Sequence, residues 1–152
     1  MCDDFFVQNE CTEHCDTRKI LVVKDSGNPQ QYRVVNESRK EICKIRVDNC
    51  LIKDGEKCDY LILDCQDQLA FFAELKGHDL GKALKQIDSS IDRLMSQIND
   101  FKIYARIVLN RTPSPDINSS FKIKLMNKIK RHNGEDSREL VKYKSQVLEE
   151  TL

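Results

Sequence analysis

The chain has no excess of either charge: 25 Lys and Arg stand against 25 Asp and Glu, a formal net charge of zero. That excludes a grip on nucleic acid by bulk positive charge, but it leaves a local basic face open. No apolar run approaches bilayer length, and the first charged residues are Asp3 and Asp4. Neither a membrane span nor a signal peptide is therefore expected. Internal repeats, low-complexity tracts and linkers rich in Pro, Gly or Ser are missing as well. A single domain over residues 1–152 follows. There is no Gly-rich phosphate loop, no Ser-His-Asp order and no Cys-His pairing of the kind nucleophilic catalysis uses. What remains is a polar globular composition, 39% hydrophobic and 33% charged.

Seven cysteines, at positions 2, 11, 15, 43, 50, 58 and 65, all fall in the first half. Their number is odd, and four lie in strand-like segments where Cys acts as a small hydrophobe. Reduced thiols and a cytoplasmic location are expected. Cys11, His14 and Cys15 are metal-ligand types at close spacing, yet no second pair follows at finger spacing. Only a fold-back of Cys2 completes four ligands, so zinc is not expected there.

The first sixteen residues carry Asp3, Asp4, Glu10, Glu13 and Asp16 and read as an acidic arm or short helix. Strand signals then come in series. Lys19–Lys24 and Tyr32–Val35 flank the turn residues Asp25-Ser26-Gly27-Asn28-Pro29, which predicts a hairpin over 19–35 extending the main sheet. Ile42–Ile52, Cys58–Cys65 and Leu69–Lys76 follow with short turns, as an antiparallel meander does. Cys43, Ile45 and Val47 share one face of the first of these. The last two are apolar on both faces, as covered central strands are. From Gly77 the period changes: Leu80, Leu84, Ile87, Ile91, Leu94 and Ile98 recur at 4, 3, 4, 3 and 4. That predicts an amphipathic helix near 80–99, with Asp79 as its N-cap. Lys102–Leu109 reads as a strand parallel to the meander. After Thr112-Pro113-Ser114-Pro115, Asp116 caps a second helix near 116–132, ended at Gly134. Leu140–Leu148 reads as a final edge strand. The fold class expected is α/β, a central mixed β-sheet flanked by helices.

One group of residues carries chemistry. Asp59 opens an apolar strand, while Glu74 and Lys76 end the next, two apart and so on one face. Charges at the end of a buried strand are costly unless paired or metal-bound. Two arrangements satisfy them: an Asp–Lys–Glu ion-pair cluster at a sheet edge, or a hard oxygen site for Mg²⁺ with Lys76 beside the attacking water.

Asp59, fourteen residues, then Glu74-Leu75-Lys76, followed by a helix carrying Gln86 and a further strand, resembles the PD-(D/E)XK nuclease superfamily. Holliday-junction resolvases and RecB-type nuclease domains share that restriction-endonuclease-like fold. The resemblance covers about residues 40–110. It implies a mixed sheet flanked by helices and Mg²⁺-dependent phosphodiester hydrolysis, with Mn²⁺ as a substitute. It also implies Asp59, Glu74 and the backbone carbonyl of Leu75 as metal ligands, Lys76 at the water and Gln86 in support. Cys58 stands where the motif has Pro, and Ser90 where RecB-like members carry Tyr. The first-helix glutamate of many members has no single counterpart among Glu10, Glu13, Glu37 and Glu41.

Further candidates surround this core. Asp48 shares a strand face with Lys44 and Arg46, either as an extra acidic group at the metal or as an ion-paired position. His78, just after the Glu-x-Lys strand, reads as a helix-entry polar residue or a substrate contact. Lys122, Lys124, Lys128, Lys130 and Arg131 lie in a stretch, Ile117 to Gly134, without acidic residues. It is a phosphate-contacting surface or a solvated face. The expected partner is DNA, with RNA or a catalytically inactive binding module as alternatives. A homodimer or a specificity-providing partner is expected for so small a chain.

Overall fold

The computed structural model describes residues 2–75, 79–111 and 119–152. In chain order they form α1 (Asp4–Val7), β1 (Thr12–Asp16), β2 (Ile20–Lys24), β3 (Gln31–Val35), β4 (Ile42–Arg46), β5 (Tyr60–Asp64) and β6 (Leu69–Leu75). Then follow α2 (Leu80–Ile98), β7 (Lys102–Leu109), α3 (Ser119–Asn133), β8 (Val141–Ser145) and β9 (Val147–Thr151). Six strands make a mixed sheet in the order β1-β4-β5-β6-β7-β8, and β2-β3-β9 make a second sheet. The α/β class with a central mixed sheet is as expected.

The central strands are covered on both faces, as their apolar composition requires. Leu61, Leu63, Ala70 and Phe72 point toward α2 and α3, into one core. Ile62, Leu69, Phe71, Ala73 and Leu75 point the other way, into a second core shared with Leu21, Val23, Tyr32 and Val34 of the small sheet. The β4-β5-β6 meander is antiparallel, and β7 returns parallel to β6 through α2. All six periodic residues of α2 are buried, each worth about 1.5–3 kcal/mol of removed apolar surface. Asp79 caps the helix by accepting the Lys82 N–H at 3.0 Å.

Several expectations give way. The hairpin β2-β3 does not extend the main sheet; it pairs with β9 and forms a layer across its face. Tyr32 and Val34 are both fully buried, which an edge extension would not require. The acidic arm becomes α1, with Phe6 buried, and the edge strand β1 paired to β4. Strand β4 stops at Arg46, because Val47–Ile52 turn back on themselves through bonds such as Ile52 N–H to Val47 O, 3.0 Å. The single terminal strand is two, β8 and β9, separated by Gln146 at φ 68°. Asp116 and the beginning of the expected second helix lie outside the described residues.

Six cysteines pair, Cys2 with Cys65, Cys11 with Cys50 and Cys15 with Cys43, while Cys58 keeps a buried thiol. The expected reduced set is thus corrected: the unforeseen pairing of β1 with β4 sets Cys15 opposite Cys43. Paired cysteines belong to oxidising compartments, so the thiol argument for a cytoplasmic location no longer holds. No helix among the described residues is long and apolar enough to cross a membrane.

Polar contacts lock the layers together. Arg106 of β7 is fully buried and donates to Glu150 Oε1 of β9 at 2.7 Å and to the Glu139 and Ala105 carbonyls at 2.8 Å. The Tyr32 hydroxyl donates to the same Glu150 carboxylate. Burial, reinforced by the Glu150 charge, pushes the Tyr32 phenol well above its ordinary range, so it remains a donor. At the end of α3, Asn133 pairs with Ile103 through both amide atoms, accepting its N–H and donating to its C=O, each at 2.8 Å. The β8 ladder begins only at Ala105, so Asn133 supplies the bonds that a strand would have made. Asn133→Ala is expected to cost about 1–3 kcal/mol by orphaning a backbone donor and acceptor, read by urea unfolding.

Candidate functional site

The site forms where β5 begins and β6 ends. Asp59 brackets Glu74 from both sides: its N–H donates to Ala73 O at 3.1 Å, and its Oδ2 accepts the Leu75 N–H at 2.9 Å. Both carboxylates are buried, Asp59 at 5% exposure and Glu74 at 3%. Their field reaches Cys58. Burial first, and then the charges of Glu74 and Asp59, push that thiol up, so it stays protonated. Two acidic groups therefore converge within one buried corner, as strand pairing of the expected segments requires.

Asp59 also opens onto solvent. It lines a cavity of about 510 Å³ with Asp48, Arg46, Tyr60 and the β2-β3 turn residues Lys24, Asp25, Ser26 and Asn28. Asp48 is brought to the site by its backbone: the N–H groups of Val47 and Asp48 both reach Asp59 O, at 3.0 and 3.3 Å. Lys57 stands 3.9 Å from the Asp48 carboxylate. At the cavity wall Tyr60 donates to Glu13 at 2.9 Å, and burial together with that bond pushes its phenol up to about 12. The turn residues of the small sheet were not expected at this cavity. Their turn chemistry marked a hairpin, but nothing local said that the hairpin would fold across the sheet.

Ser90 is the residue that sequence reasoning undervalued. It is fully buried on α2, accepts the Cys58 N–H at 2.8 Å and donates to Gln86 O at 2.9 Å. One hydroxyl thus ties the helix turn that carries Gln86 to the residue before Asp59. The Gln86 side chain itself is half-buried. A tyrosine at position 90 has no room in this contact. Ser90→Ala is expected to cost about 1–3 kcal/mol, because the Cys58 N–H is left buried and unbonded. Hydrogen exchange at Cys58 would read the loss directly.

Lys76 and His78 lie outside the described residues. The basic helix is only partly available for phosphates. Lys128 bridges to α2, 2.7 Å from Asp88 and also bonded to Asp92, and this pairing raises its pKa against the opposing effect of burial. It therefore makes a helix-to-helix ion pair. Lys122 rests its ammonium 4.9 Å from the Tyr143 ring. Lys124, Lys130 and Arg131 stay exposed and line one open groove with Asn127 and Leu140.

Compared with known proteins, the chain matches no family model, no curated protein sequence and no solved structure.

Proposed function

We propose that this protein hydrolyses phosphodiester bonds in DNA at the Asp59–Glu74 corner, as a small Mg²⁺-dependent nuclease of PD-(D/E)XK type. The observation that carries the reading is the bracketing of Glu74 by Asp59, which sets two buried acidic residues side by side, with Asp59 at the wall of an open cavity. Connectivity supports it too: an antiparallel meander, a crossover helix and a parallel fourth strand are the arrangement that the sequence resemblance implies.

The donor set fits a hard cation. Mg²⁺ needs only one or two protein carboxylates, with waters and substrate phosphate completing its shell. Asp59 and Glu74 would hold it, with the Leu75 carbonyl as a third ligand. When bound, the ion supplies charge neutralisation at the phosphate and a lowered pKa for the attacking water. The Leu75 N–H fixes the Asp59 carboxylate before any ligand arrives, so little reorganisation is needed. Lys76, two residues beyond Glu74, stabilises the developing negative charge or orients the water. Gln86 is kept near by the Ser90 bond. Lys124, Lys130 and Arg131 supply the phosphate contacts away from the scissile bond. A homodimer or a second protein extends the footprint of so small a chain.

The test is incubation of the purified protein with linear, branched and single-stranded DNA, and with RNA, in Mg²⁺, Mn²⁺ or EDTA. Metal-dependent cleavage lost in Glu74→Ala and Lys76→Ala is the expected result. Cleavage that survives both substitutions overturns the site. Binding without cleavage on every substrate shifts the reading to an inactive nuclease-fold module, and cleavage of RNA alone changes the substrate.

A further inference from the structure

One of the three disulfides reaches the candidate site. Cys2–Cys65 and Cys15–Cys43 fasten the N-terminal segment at the ends of β4 and β5 that lie away from Asp59. Cys11–Cys50 lies at the other end, and Cys50 belongs to the turn 47–52 that brings Asp48 to the cavity beside Asp59.

The two ends of that turn are fixed without the bridge, because Val47 and Ile52 are both buried in the core under α2. Its middle is not. Asp48 and Cys50 are half-exposed and Asn49 is fully exposed, with a left-handed φ of 57°. The backbone bonds here are few: Asp48 N–H to Asp59 O at 3.3 Å, Asn49 N–H to Ile52 O at 3.1 Å and Cys50 N–H to Val47 O at 3.2 Å. Side-chain support is weak as well. Lys57 stands 3.9 Å from the Asp48 carboxylate, and the exposed Arg46 donates to Asp48 O at 3.2 Å. Cys11, in contrast, is held firmly. It is buried, its N–H reaches Asn9 Oδ1 at 2.9 Å, and its carbonyl accepts the Arg46 N–H at 2.9 Å. The bridge therefore ties a loosely held turn to the edge of the main sheet.

We propose that Cys11–Cys50 is a redox latch on the site: closed, it keeps Asp48 at the cavity, and opened by a dithiol reductant it frees the middle of the turn and lowers cleavage. A thiolate of the dithiol attacks the Cys50 sulfur, and Cys11 leaves as the thiolate and takes a proton. The second thiol of the reductant then closes on its own sulfur in the mixed disulfide and releases Cys50. Two electrons and two protons pass to the protein, and the dithiol becomes a cyclic disulfide. The effect on cleavage rests on the nuclease reading; the freeing of the turn does not.

The test compares the oxidised wild type with Cys11→Ser/Cys50→Ser, which leaves the other two bridges in place. Amide hydrogen exchange at Asp48 and Asn49 should be at least about tenfold faster in the variant, while Val47 and Ile52 keep their protection. Metal-dependent DNA cleavage should fall about 10–10²-fold, the scale of a small misplacement near a reacting centre. Dithiothreitol, added to the wild type until peptide mapping shows Cys11 and Cys50 as the two free thiols, should reproduce both changes, and reoxidation should reverse them. That arm reads the latch even if the variant fails to fold. Unchanged exchange at Asp48 and Asn49 when the bridge is absent overturns the proposal, and so does a protein in which Cys11 and Cys50 do not pair on oxidation. Faster exchange with cleavage unchanged overturns the control of the site. If neither form cleaves any substrate, the nuclease reading fails, and the exchange rates still decide whether the bridge holds the turn.

Discussion

Glu74→Gln is expected to lower DNA cleavage about 10²–10³-fold, the scale seen when one preorganised charge is removed from a reacting centre. The same substitution should leave the melting temperature in EDTA unchanged or raise it. Glutamine keeps the volume of the buried side chain, and at a metal site it removes one of two adjacent carboxylates that only the ion would draw together. This combination separates the two arrangements that the sequence alone left open. If Glu74 belongs to a structural ion-pair cluster, neutralising it breaks a buried pair and the protein melts earlier. If it belongs to a metal site, activity falls while stability holds, and added Mg²⁺ should stabilise the wild type but not the variant. A lowered melting temperature with cleavage intact would sink the metal-site reading.

Arg106→Ala should destabilise the fold more than Asn133→Ala or Ser90→Ala, by about 3–5 kcal/mol. Its guanidinium is wholly buried and lies 5.6 and 5.5 Å from the Phe71 and Tyr104 rings. It also donates to the Ala105 and Glu139 carbonyls while pairing with Glu150 of the other layer. Removing it leaves Glu150 buried against the Tyr32 hydroxyl, with Arg138 and Lys142 still 3.8 Å away as weaker partners. For a chain of this size the loss corresponds to a fall in Tm of about 10 °C. Adding Glu150→Gln to Arg106→Ala should recover part of it, since the stranded charge is then gone. A fall in stability below about 1 kcal/mol for Arg106→Ala would mean that the network is dispensable.

The parts of this architecture that were legible are those where period and burial agree. The α2 stripe from Leu80 to Ile98 and the two-sided apolar runs of β5 and β6 left one arrangement open, and the chain adopts it. The small sheet was not legible, because its third strand lies over a hundred residues from its second. Lys19–Val35 alone looks like any hairpin, and its layer is decided by Leu148 and Glu150 arriving from the far end. At the site, Asp59 and Glu74 were readable from strand spacing. Asp25, Ser26 and Asn28 were not, since they reach the cavity only through that second layer. Ser90 looked like a missing tyrosine until its bond to Cys58 was seen. Lys128 looked like free charge because Asp88 and Asp92 lie on another helix, forty and thirty-six residues away.

Strands β8 and β9 lie in different sheets with a single residue, Gln146, between them. That geometry has a temporal meaning for a ribosome-born chain. Residues 31–35 cannot find their parallel partner until residues 147–151 exist, so the β2-β3 hairpin must wait with one edge open while more than a hundred further residues are made. The large sheet has its meander, crossover helix and β7 in hand well before that. Closure of the second layer therefore follows the core of the large sheet, and the cavity beside Asp59, walled by the hairpin's turn, takes its final shape only then. A nascent chain would carry Asp59 and Glu74 long before it carried a finished cavity beside Asp59.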